Sequence, residues 1–141
     1  MAKKEPKNPV SVEDADFFHG LLTRWLDQLN MSDWRLVRLP KPSTEMAEIT
    51  TQETEHRLIK YKMGRDFGNA PVNIETLENT AIHEALHCRF HEMIEAAMEE
   101  GEYNDRVIAA EHSTIIVLTN LLHELTKAKR RLAKMEEGLP R

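Results

Sequence analysis

Between Ser11 and about Asn30 the apolar residues Phe17, Phe18, Leu21, Leu22, Trp25, Leu26 and Leu29 recur at three- and four-residue steps, the period of an amphipathic helix. A first helix is expected there. The string WRLVRL then alternates apolar with basic residues and reads as a strand, ended by PKP because proline cannot donate to a sheet ladder. MAEIT and HRLIKYKM predict two further strands, the last with Ile59, Tyr61 and Met63 on one face and Leu58, Lys60 and Lys62 on the other. GRDFGNAPVN is dense in Gly, Asn and Pro and predicts a loop, with Asn73 as N-cap of a second helix running to about Glu100. GEYND interrupts the pattern before a third helix, from about Asp105 into the 130s, carrying Val107, Ile108, Ile115, Leu118, Leu122 and Leu125. The expectation is an α+β fold in which helices surround a small three-stranded antiparallel sheet.

A chain of 141 residues is long enough for one hydrophobic core and short for two. Residues 11–135 are therefore read as a single domain, with 1–10 and 136–141 as loose ends. Hydrophobic content of 40% and charged content of 30% are ordinary for a soluble protein, and no apolar run is long enough to span a bilayer. The opening MAKKEPKNPV lacks the apolar core of a secretory signal, and the single cysteine, Cys88, has no intrachain partner. Both point to the cytoplasm. A net charge of -5 argues against general attraction to nucleic acid; the local cluster Lys127, Lys129, Arg130, Arg131 and Lys134 complements the negative end of a helix dipole.

The chemistry is concentrated in HEALH, formed by His83, Glu84, Ala85, Leu86 and His87. On a helix the two histidines lie about 40° apart around the axis and one turn apart along it, so both imidazoles can reach one ion. Glu84 sits about 60° from His87, beside that face, where a general base for metal-activated water is wanted. The string is short enough to arise by chance, so its setting must decide. On the helix wheel Leu86, Phe90, Met93, Ile94 and Ala97 mark the core side, and the pair lies at its edge.

Catalytic zinc usually takes three protein ligands and one water. Helix three offers two adjacent candidates. Glu111 falls within the apolar arc of Ile108, Ile115, Leu118 and Leu122, where a lone charge would cost several kcal/mol unless a cation, or a base such as Arg57, faced it. His112 lies at the rim of the arc, able to replace Glu111 as ligand or to stand beside the ion and stabilise an oxyanion. Glu111 is the preferred ligand and His112 the tentative oxyanion partner. His91 lies too far along the helix from His83 to share one ion. Tyr103, His19, His56 and His123 read as packing or exposed residues, and Cys88 points away from the histidine pair.

Taken together, DWRLVRL, the hairpin ending in HRLIKYKM, TAIHEALH and EHSTIIVLTNLL resemble a zincin metallopeptidase of the gluzincin type, and more closely the compact phage-encoded metallopeptidases related to SprT-like and ImmA-like proteins. The resemblance spans roughly residues 12 to 126. It implies a minimal zincin-like fold, zinc held by His83, His87 and Glu111, and Glu84 as general base and acid in peptide-bond hydrolysis. It also implies that an edge strand among residues 45 to 63 pairs with an extended peptide or protein substrate. Phe90 and His91 stand where a metzincin would carry glycine and a later histidine, so that type is excluded, and no cysteine zinc ribbon follows the domain. The competing expectation is a non-catalytic protein of phage origin, stabilised by zinc and working in binding or assembly.

Overall fold

The computed structural model describes residues 4–97 and 105–139. Helix α1 (Val12–Gln28) starts at a capping box: Asp14 N–H donates to the Ser11 hydroxyl and Ser11 N–H donates to the Asp14 carboxylate, both at 3.0 Å. Two of the helix's unpaired amides are thereby satisfied. Its face of Phe18, Leu21, Leu22 and Leu26 is buried, and the chain leaves the helix through Asn30 at φ 61°, a left-handed conformation that asparagine tolerates.

The strands are β1 (Arg35–Arg38), β2 (Ala47–Glu53) and β3 (Leu58–Met63), in the order β1-β3-β2. The sheet is mixed, which corrects the antiparallel expectation: β2 and β3 form an antiparallel pair, while β1 runs parallel to β3. The reason lies in PKPSTEM. Its prolines end β1 without a tight turn, and the segment crosses the end of the sheet, where Ser43 N–H donates to Met63 O at 3.0 Å. β2 therefore starts at the far edge, and β3 folds back into the gap. Close packing fixes this crossing at Gly64, where an added Cβ would stand 2.2 Å from Glu45 O. β2 carries a bulge at Thr50, whose hydroxyl donates to Lys60 O at 3.2 Å.

As the alternation predicts, Ile59, Tyr61 and Met63 enter the core, where α1 and helix α2 (Ile74–Ala97) cover the sheet. Asn73 caps α2, accepting from Thr76 N–H at 3.0 Å. The expected N-terminal tail meets the fold at residues 7–10, where Val10 N–H donates to Arg65 O and Asn8 N–H to the Asp66 carboxylate, each at 2.8 Å.

Helix α3 (Asp105–Glu137) packs along α2 through a smaller cluster of Ile82, Leu86 and Ile115. Four residues assigned to the apolar faces by periodicity are exposed: Phe17 on α1 (45%), Met93 on α2 (52%), and Ile108 and Leu125 on α3 (44% and 64%). Each helix has only one buried stripe, and the wheel drew it too wide. No helix among the described residues is long and apolar enough to cross a membrane.

Candidate metal centre

HEALH lies in mid-helix on α2, with Ala81, Ile82, Ala85 and Leu86 buried around it. That packing fixes the backbone and leaves His83 and His87 half-buried at the floor of a cleft of about 460 Å³ between β2 and α3. Their Nε2 atoms face each other at 3.1 Å. Two imidazole nitrogens at that distance can share one proton, or both can turn lone pairs to a single cation.

The third imidazole comes from α3. One ring nitrogen from each of His83, His87 and His112 lies within 4.8 Å of the others, and the His112 ring centroid is 5.5 Å from that of His83 and 5.7 Å from that of His87. Around one tetrahedral zinc such nitrogens stand roughly 3.3 Å apart, a spacing that small ring rotations would supply. The donor set fits a first-row divalent ion.

Glu111 is also brought to this place, but through His87: its Oε1 lies 3.7 Å from His87 Nδ1, on the side of the ring away from His83. Its side chain is 7% exposed, as its position in the apolar arc predicts. The alternative partner Arg57 instead pairs with Asp33.

Electrostatics in the cleft favour an added cation. Burial, reinforced by the neighbouring His87 and His112, pushes the His83 pKa down to about 4, and burial likewise lowers that of His87. Both rings are therefore neutral with lone pairs available. Three carboxylates, from Glu45, Glu48 and Glu111, also line the cleft beside Glu84, and none of the described lining residues is a lysine or arginine.

Glu84 is 7% exposed, and burial pushes its pKa up to about 8, opposed by a hydrogen bond from Ile49 N–H and reinforced by Glu45 and Glu48. The carboxylate thus links the HEALH helix to the bulged edge strand. Gln52 makes a second tie, its side-chain amide donating to Cys88 O at 2.8 Å. Sequence reasoning missed Ile49, Gln52, Glu45 and Glu48 as cleft residues because the first acts through its backbone and the others are ordinary strand-surface types.

The remaining candidates separate cleanly. His91 lines the cleft but is exposed, with Nε2 3.5 Å from Glu95. Cys88 is fully buried, and burial raises its thiol pKa well above the ordinary range, so it is held as a thiol. His19 bonds to Tyr61, His123 is buried against Glu78, and His56 is exposed. Tyr103 lies outside the described residues. Comparison with protein-family models, curated proteins and solved structures returns no match.

Proposed function

We propose that this chain is a zinc-dependent metallopeptidase. The observation carrying this reading is the convergence of three imidazoles from two helices with the buried carboxylate of Glu84 in one cleft beneath an edge strand. His83, His87 and His112 would hold the ion. Glu111 would orient His87 by accepting from its Nδ1–H, the arrangement in which an outer carboxylate fixes tautomer and ring direction. In this reading the ligand role expected of Glu111 passes to His112, and Glu111 acts through His87 instead.

Bound there, zinc would supply Lewis acidity, polarising a scissile carbonyl and easing deprotonation of water. Beside the cation, Glu84 would favour its ionised form over the neutral one that burial holds, and the carboxylate would then take that proton and pass it to the leaving amine. β2 stands at the edge of the sheet and lines the cleft, so an extended substrate can pair with its backbone without requiring a particular sequence. The bulge at Thr50 turns the strand beside the reacting groups.

The test is zinc content and peptide-library cleavage for wild type and Glu84→Gln. Wild type should carry one equivalent of zinc and cleave, while the variant keeps its zinc and loses roughly 10²–10⁴-fold in rate. A protein that binds no metal would sink the reading. A second reading, a zinc-stabilised binding protein, draws support from the hydrogen bond by which Glu84 ties α2 to β2. In that case wild type holds zinc without cleaving, and Glu84→Gln lowers only the melting temperature.

A further inference from the structure

The outer face of α3 carries an ordered pattern that the monomer leaves uncovered. With Ile115 at 0° on a helical wheel, the buried residues Ile115, Thr119 and His123 fall between 0° and about 80°. Leu121, Leu125, Ala128, Leu132 and Met135 fall between about 200° and 280°, nearly opposite. The four large side chains of this second stripe are 56%, 64%, 60% and 68% exposed. Their steps of four, three, four and three residues are those of alternating d and a positions in a heptad repeat.

The flanking charges indicate what covers the stripe. Glu124 and Arg131 occupy g positions, and Lys129 and Glu136 occupy e positions. When two helices run parallel in register, each g residue meets the e residue five positions later on its partner. The pairs are then Glu124 with Lys129 and Arg131 with Glu136, opposite in sign on both sides of the seam. An antiparallel pairing matches g with g and e with e, Glu124 with Arg131 and Lys129 with Glu136, so the charges complement a second copy in that direction too, and reversing the charges of one set alone tells the two orientations apart. The charge pattern complements itself.

We propose that α3 forms a parallel two-stranded coiled coil with α3 of a second copy of this chain, through Leu121, Leu125, Ala128, Leu132 and Met135. The seam lies on the opposite side of α3 from α2, so the pairing helices can meet without disturbing the monomer core. Two of the basic residues nearby are already engaged within the chain: Lys127 with Glu75 and Glu124, and Arg130 with Glu78. The basic cluster therefore offers less free positive charge than its sequence implies.

Sedimentation mass across protein concentrations from about 1 to 200 µM tests the proposal, since association follows mass action. Wild type should move from monomer to dimer, and Leu125→Glu with Leu132→Glu should stay monomeric with unchanged helical circular dichroism, both positions being exposed in the monomer. Orientation is tested by two reversed chains, one with Glu124→Lys and Arg131→Glu, the other with Lys129→Glu and Glu136→Lys. Each alone should dimerise at least tenfold more weakly, and an equal mixture should recover wild-type affinity as a heterodimer. A wild type that remains monomeric, or a dimer unaffected by the leucine substitutions, overturns the interface. Dimers indifferent to both reversals overturn the parallel register.

Discussion

Helices α2 and α3 bring a histidine and a glutamate together twice, and the two meetings differ in what surrounds the pair. Near the start of α2, Glu78 has a side chain only 2% exposed; it accepts a 2.6 Å bond from Arg130, and its other oxygen lies 3.9 Å from His123 Nε2. Asn79 lies 3.3 Å from His123 Nδ1; with the amide as donor, the ring proton is on Nε2, facing Glu78. A cation comes from the chain itself. At the other meeting Glu111 faces His87, beyond which stand His83 and His112 and a cleft without lysine or arginine among its described lining residues. A histidine beside a glutamate is thus not in itself a functional sign. The distinction is what stands beyond the pair, an arginine beside Glu78 and two further imidazoles beside His87.

The sharpest way to break the comparison is to remove an imidazole from each meeting. His112→Ala should abolish stoichiometric zinc binding and lower the melting temperature to that of chelator-treated wild type. His123→Ala should leave zinc content unchanged. If both variants bind zinc equally, the cleft is not the metal centre. Next in size, Arg130→Ala takes the guanidinium from buried Glu78; because Arg130 is half-exposed, losing this charged hydrogen bond costs about 1–3 kcal/mol. Denaturant unfolding should show that loss, and replacing Glu78 by methionine in the same background should recover much of it.

Much of the fold could be read from the chain because its signals are local. Period and punctuation locate α1, the β2–β3 hairpin and the Asn73 cap within a few residues. What escaped was set by distant parts of the chain. Whether β1 pairs parallel or antiparallel depends on the path of residues 39–46 across the sheet, which no residue pattern in β1 encodes. For the site, HEALH fixes two imidazoles on one helical face whatever surrounds it, and the apolar arc predicts a buried Glu111. Both Glu111 and His112 turn to the pair, and how near each comes depends on the rotation of α3 about its axis, set by Ile115 and Leu118 packing on Leu86 and Ile82. Adjacent residues differ by about 100° on that wheel, so the two approach the pair from different sides, and the sequence alone does not rank them as ligands.

The proposed role of Glu111 gives a smaller, graded prediction. If Glu111 orients His87 without holding the ion, Glu111→Gln should weaken zinc binding by roughly 10–100-fold while keeping one site per chain. Competition with a chromogenic chelator reads this directly. Stoichiometric loss, equal to that of His112→Ala, would restore Glu111 as a ligand.

The smallest effect belongs to a histidine outside both meetings. His19 Nδ1 lies 2.9 Å from the Tyr61 hydroxyl, whose pKa burial pushes up to about 12, so the phenol keeps its proton and donates to a neutral ring. Burial lowers the His19 pKa from 6.5, assisted by Arg38 and opposed by Asp16. The folded state therefore takes up the proton less readily than the unfolded chain. This contribution to stability is complete above 6.5 and is lost as pH falls through that value toward the lower folded pKa. In chelator-treated protein, His19→Gln should unfold with a shallower loss of denaturant midpoint between pH 7.5 and 5.5 than wild type, because glutamine can accept from Tyr61 at any pH. Identical slopes would mean that the pH response resides in the cleft histidines alone, and a steeper slope in the variant would mean that folded His19 binds its proton more tightly than the unfolded chain does.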